Sequence, residues 1–125
     1  MPRQPDAVAR VRSMDDIDDL ATDTAAVLVT GLDDRKLAAL TRLNALRVLL
    51  SEGAVVTDIG LSSAAALPDL ERLSLAGDAA LTDAGLAQLY PSGTLRWLDL
   101  RGCGGISRLG VTRLRHALPK CEVLA

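Results

Sequence analysis

Thr57-Asp58-Ile59-Gly60-Leu61, Thr82-Asp83-Ala84-Gly85-Leu86 and Ser107-Arg108-Leu109-Gly110-Val111 follow one another at intervals of 25 residues. Each begins with a hydroxyl residue and places a glycine, then a branched aliphatic residue, at the same offsets. Self-similarity at such a period marks a stacked repeat, in which each unit buries its apolar face against its neighbours. Working backwards from each segment, an apolar stretch of period two precedes it. Leu70-Glu71-Arg72-Leu73-Ser74-Leu75 and Leu95-Arg96-Trp97-Leu98-Asp99-Leu100 both read L-x-x-L-x-L, and Leu46-Arg47-Val48-Leu49-Leu50-Ser51 is a weaker copy. The last two leucines share one face of a strand, so they point into a core while the residues between them point out. Ala26-Val27-Leu28-Val29 is an earlier, shortened copy, and Cys121-Glu122-Val123-Leu124 begins a later one.

Gly53, Gly77 and Gly102 follow the strands and permit a tight bend. Thr57, Thr82 and Ser107 then suit a helix N-cap, with Asp58 and Asp83 placed where the helix dipole favours negative charge. Leu86 with Leu89, and Val111 with Leu114 and Leu118, recur at helical spacing. Pro68, Pro91 and Pro119 end these helices before the next strand. Gly60, Gly85 and Gly110 fall in the first helical turn, where glycine costs about 1 kcal/mol relative to alanine. Close approach of neighbouring units is the simplest reason for three such glycines.

Leu70, Leu73, Leu75, Leu81, Thr82, Asp83, Gly85, Leu86 and Leu89, with Leu95, Leu98, Leu100, Cys103, Ile106, Gly110, Val111 and Leu114, carry a resemblance to the leucine-rich repeat family. The likeness is to its cysteine-containing type, with units of about 26 residues. One copy has that type's cysteine, Cys103; Asp78 and Ala54 fill the corresponding places, and Arg108 replaces the usual acid. The resemblance implies an α/β solenoid. It would be a short right-handed superhelix with a parallel sheet on its concave face and helices on its convex face.

Composition agrees with thin stacked layers. The 125 residues include 24 leucines, no phenylalanine, one Tyr and one Trp. The expected organisation is a disordered tail over 1–12 and a single repeat domain over 13–125. That domain has a capping helix over 13–21, about four repeats to 120, and a final, fifth strand over 121–125. Ser13 three residues ahead of Asp16 suits a capping box, with Met14, Ile17 and Leu20 as its apolar side. Residues 13–34 hold seven aspartates and no base, whereas residues 95–125 hold six bases against two acids. Because sequence order is spatial order in a stack, one end is acidic and the other basic. No helix caps the fifth strand, which implies self-association or a partner at that end.

The site expected from this register is the concave sheet. Leu50, Glu52, Arg72, Trp97, Asp99 and Arg101 are the candidate contacts, and Val48, Ser74, Ala76, Leu28, Thr30 and Val123 extend the surface. A slip of one residue over 45–52 would instead bury Val48 and Leu50 and expose Leu49. Trp97 leads, because Trp flanked by Arg is typical of binding hot spots; Arg72 at the same height in the adjacent strand is placed to stack on it.

Chemistry finds little footing. His116 is the only histidine and sits away from the sheet, so a hydrolase triad lacks its parts. One His and two Cys without a C-x-x-C do not make a metal site; Cys103 and Cys121 read as reduced core thiols of a cytoplasmic protein. Gly102-Cys103-Gly104-Gly105 lacks the ending and spacing of a phosphate loop. The net charge of −2 argues against nucleic acid, and no apolar run is long enough for a membrane span. About 25 residues precede the repeats, too few for the F-box that accompanies many such repeats. The expectation is a non-catalytic module without cofactor or metal that binds a protein partner through its concave sheet. The alternative is an assembly or regulatory subunit that works through its charged ends.

Overall fold

A computed structural model describes residues 7–125. Among these residues six strands form one parallel sheet in strictly sequential order. They are β1 (Ala9–Val11), β2 (Ala26–Thr30), β3 (Val48–Glu52), β4 (Arg72–Ser74), β5 (Trp97–Asp99) and β6 (Glu122–Leu124). Helices α1 (Met14–Asp18), α2 (Asp34–Leu40), α3 (Ser62–Ala65), α4 (Asp83–Leu86) and α5 (Arg108–Ala117) connect them in turn.

Paired residues lie 18 apart between β1 and β2 (Ala9 with Val27) and 22 apart between β2 and β3 (Ala26 with Val48). The spacing is 24 between β3 and β4 (Val48 with Arg72) and 25 at the two later junctions. The units therefore lengthen along the chain, and only the last reach the period of the quoted segments.

The register aligns Val27, Leu49, Leu73, Leu98 and Val123 in one column facing the helices. All five are buried, as are Leu46, Leu70 and Leu95 ahead of them. Each such side chain removed from water contributes about 1.5–3 kcal/mol. Leu49 is buried while Val48 and Leu50 are only partly so, which settles the register over 45–52 in favour of the unslipped frame. The turn glycines behave as expected: Gly53, Gly77 and Gly102 have φ of 72°, 78° and 77°, values that a side chain disfavours.

The amino-terminal region departs from expectation. Residues 1–6 of the expected tail lie outside the described residues, but 9–11 form β1, whose Val11 is fully buried. Helix α1 accordingly connects β1 to β2 and is not a cap lying beyond the sheet. Its capping box is present: Ser13 Oγ accepts from Asp16 N at 3.2 Å, and Asp16 Oδ2 accepts from Ser13 N at 3.2 Å and Arg12 N at 2.8 Å. Those bonds, the Arg12 amide foremost, hold the Asp16 carboxyl below its usual range. Arg42 closes the other end of α1, donating to the Ile17 carbonyl and, at 2.8 Å, to that of Leu20.

Neighbouring units are stitched by a polar ladder along the helix starts. Asp34 Oδ1 accepts from Thr57 N at 2.8 Å and its Oδ2 from Thr57 Oγ1 at 2.6 Å. Asp58 receives the Thr82 amide and hydroxyl in the same way, and Asp83 those of Ser107. The Ser107 bonds lower the Asp83 pKa. Asp34 and Asp83 thus serve the next unit besides their own helix dipole, and Asp58, in the turn ahead of α3, serves Thr82 alone. A Cβ built on Gly60, Gly85 or Gly110 would collide with the carboxylate of Asp34, Asp58 or Asp83 respectively, so close approach does explain the three glycines. The hydroxyls cap less uniformly than expected. Ser107 Oγ accepts from Gly110 N at 3.1 Å at the start of α5, and Thr82 makes no side-chain cap bond at the start of α4. Thr57 caps no helix: its Oγ1 accepts from Gly60 N at 3.4 Å within a turn over 58–61, and α3 begins only after Leu61.

The fully buried Asp78 accepts from Val56 N at 2.8 Å and Ala80 N at 2.9 Å. Burial pushes the Asp78 pKa up despite those bonds. In the following unit Cys103 takes this place and its thiol donates to the Leu75 carbonyl at 3.1 Å.

Candidate protein-binding surface

Because side chains alternate along a strand, everything between the buried columns lies on the face of the sheet away from the helices. Two rows cross it. Ala26, Val48, Arg72, Trp97 and Glu122 form the first; Leu28, Leu50, Ser74, Asp99 and Leu124 the second. The rows mix apolar and charged side chains.

The register brings Arg72 directly beside Trp97. The guanidinium carbon of Arg72 lies 5.8 Å from the centroid of the Trp97 ring, within cation–π range. Trp97 is partly exposed and Arg72 exposed, so each restrains the other while both stay accessible. One row on, Asp99 and Arg101 form a second pair. Asp99 Oδ1 accepts from the Arg101 amide and Nε, both at 3.0 Å, and Oδ2 accepts from Nη2 at 2.9 Å. The Arg101 side-chain bonds are the first cause that lowers the Asp99 pKa, and the same pair raises that of Arg101.

Asp99 therefore faces the surface but is only 5 % exposed. It orients Arg101, whose side chain remains largely in solvent. Leu50 lies partly exposed beside Leu28, forming an apolar patch, and Glu52 pairs with Thr30 at the end of the strands. The six sequence candidates thus fall into two tight pairs, Arg72 with Trp97 and Asp99 with Arg101, and two residues on β3.

Val123 corrects the sequence reading. Its pairing with Leu98 puts it in the core column, 6 % exposed, and brings Glu122 and Leu124 to the surface. Lys120 stands 25 residues after Leu95, so the leucine frame has no anchor there. The strict alternation from Cys121, buried, to Glu122, exposed, was the signal that could have found it.

Other reactive side chains lie elsewhere. His116 is exposed near the end of α5. Cys103 and Cys121 are buried free thiols, and burial pushes both pKa values up, away from thiolate chemistry. Among the described residues, no group of His, Cys, Asp and Glu could hold a metal ion, and no helix is long and apolar enough to cross a membrane. Comparison with known proteins adds no constraint: no family model matches this sequence, and no curated protein matches it.

Proposed function

We propose that this chain is a leucine-rich-repeat solenoid, and that it is a non-catalytic module binding a protein partner through the exposed, concave face of its sheet. The observation that carries this reading is the Arg72–Trp97 stack, a large aromatic side chain held in place and still accessible. Ordering such side chains before contact lowers the entropy lost on binding, and Trp and Arg dominate binding hot spots. The Asp99–Arg101 pair beside it offers a fixed guanidinium for a carboxylate or a backbone carbonyl. The sequential parallel sheet, the repeated turn glycines and the 25-residue spacing support the solenoid. Two buried, unpaired thiols favour a reducing, cytoplasmic setting.

The test compares partner capture by wild type, Trp97→Ala, Arg72→Ala and the end variant Arg113→Glu/Arg115→Glu, with circular dichroism to establish that each is folded. Loss of Trp97 should weaken the partner by at least about 2 kcal/mol, roughly thirtyfold in Kd, and Arg72→Ala by less. The end variant should bind normally. Capture that survives Trp97→Ala but fails in the end variant would transfer the function to the charged ends, the assembly-subunit reading. One observation favours that alternative: the acid of the ladder is replaced by Arg108 in the last helix.

A further inference from the structure

Between α2 and α5 a single connector recurs. One aspartate of each unit (Asp34 and Asp83, the first residues of α2 and α4, and Asp58, in the turn that precedes α3) accepts from the amide and hydroxyl of Thr57, Thr82 or Ser107 in the next unit. Its carboxylate fills the space beside the glycine three residues beyond that hydroxyl residue. The α1–α2 junction lacks this connector, having Met14 in the first place and Lys36 in the third.

Both ends break the rule, in opposite senses. In α5 the first place holds Arg108, so the face turned away from α4 presents a cation where internal units present an acid. In α1 the third place after the N-cap holds Asp16, where the segments opened by Thr57, Thr82 and Ser107 have glycine. If α1 of a second copy took the position of a next unit, Arg108 would meet Ser13 and Asp16. Each internal aspartate meets a hydroxyl and a glycine at that position.

The surroundings agree. Beside Arg108, a groove of about 550 Å³ is lined by Leu100, Ile106, Val111, Thr112 and Arg115. Toward the opposite end a groove of about 470 Å³ is lined by Val8, Ala9, Asp19, Leu20 and Asp23 and reaches Arg47, with Val8 43 % exposed. Arg115 donates from Nη2 to the Val123 carbonyl at 2.9 Å, an acceptor on the outer edge of β6, so a strand added to that edge has to displace this bond. Among the described residues β1 pairs only with β2 and β6 only with β5. Both belong to a parallel sheet, so β1 of one copy can extend β6 of another without reversing direction. Symmetric pairing is disfavoured, since two α5 ends would oppose arginines and two α1 ends aspartates. Opposite charges also steer the mixed encounter.

We infer that this chain associates head to tail with a second copy of itself, the Arg108–Arg115 face of one receiving the Asp16–Asp19 face of the next. Such a heterologous contact leaves one free face at each end, so it builds short filaments or a ring. The concave sheet is not used, and the inference stands or falls separately from the binding function above.

The experiment is sedimentation velocity on the full chain over rising concentration, at low and high salt. Wild type should show a sedimentation coefficient that climbs with concentration at low salt and returns to the monomer value at high salt, as screening requires. Arg108→Glu/Arg115→Glu blocks one face. Asp16→Gln/Asp19→Arg blocks the other, with glutamine keeping the capping box. Each variant, shown folded by circular dichroism, should be monomeric alone. Their equimolar mixture should form a one-to-one dimer that grows no further, because each supplies the face the other lacks. Trp97→Ala should associate like wild type. A wild type monomeric at high micromolar concentration in low salt overturns the inference. So does a mixture that stays monomeric, or a dimer that survives in either variant alone. Amide protection at β6 in a monomer, lost when residues 1–6 are deleted, would put the chain's own start in the groove and overturn it as well.

Discussion

Replacing Gly110 by alanine should destabilise this protein, although in an ordinary helix it would do the reverse. Gly110 is the third residue of α5, and its backbone is not in the left-handed region. Helix propensity alone would make alanine better by about 1 kcal/mol. The space for the new methyl is already filled: the three atoms nearest to it are Oδ1, Cγ and Oδ2 of Asp83, all side-chain atoms. The carboxylate must swing aside and surrender the amide and hydroxyl of Ser107. Forcing a methyl into an occupied place costs about 1–3 kcal/mol. Set against the propensity gain, the net loss is about 1 kcal/mol, or about 4 °C in Tm for a chain of this length. Removing the obstruction reverses the sign. In an Asp83→Ala background, Gly110→Ala should stabilise by up to about 1 kcal/mol, so the two sites couple by about 1–3 kcal/mol. Urea titration of the four proteins, read by far-UV circular dichroism and by the fluorescence of Trp97, measures the cycle. If Gly110→Ala is as stable as wild type, or equally harmful with and without Asp83, the ladder geometry argued above is wrong.

Three further outcomes follow from the packing and the buried acids. Asp78→Ala leaves the Val56 and Ala80 amides without their acceptor and should cost about 2 kcal/mol in urea titration, the relief of a desolvated carboxylate offsetting part of the loss. Leu98→Ala empties a fully buried position in the central column and should cost about 2–5 kcal/mol by the same assay. The pH dependence has two signs. Asp99 has a depressed folded pKa, so its contribution is present above its unfolded value of about 3.9 and is lost as pH falls through the lower folded value. Asp99→Asn should therefore narrow its stability gap to wild type as the solution is acidified below about pH 4. Asp78 has a raised folded pKa, so its contribution is present below about 3.9 and lost as pH rises through the folded value; Asp78→Ala should widen its gap on acidification.

How far the sequence could be read depended on whether a feature was local. Leu70 to Leu75 and Leu95 to Leu100 declared their strands because alternation within six residues is enough to choose a face. The same alternation places Arg72 and Trp97 side by side. Strand β1 escaped because its three residues offer one buried side chain, Val11, between two arginines, and no period can be seen in that. The ladder was half legible. Thr-Asp-x-Gly was visible, but the partner of each aspartate lies 23 or 24 residues further on, and local reasoning assigned the acid to the helix dipole alone. Asp99 was placed on the right face but not as a buried group, because its cover comes from the Arg101 side chain curling back over it. Val123 was misplaced where the leucine frame lost its anchor at Lys120.

The recurring joint between helices has a consequence for how such a chain lengthens. A copy of residues 58–82 inserted after Thr82 would begin with Asp58 behind a threonine and finish with Thr82 ahead of Asp83, so each new seam would reproduce the Thr-Asp-x-Gly arrangement already in use. Duplication in the interior asks for no newly evolved contact. Growth past Arg108 asks for one, because the acid that would accept another unit of the same kind is absent. The molecule is extensible from within and closed to its own kind of unit at its last helix.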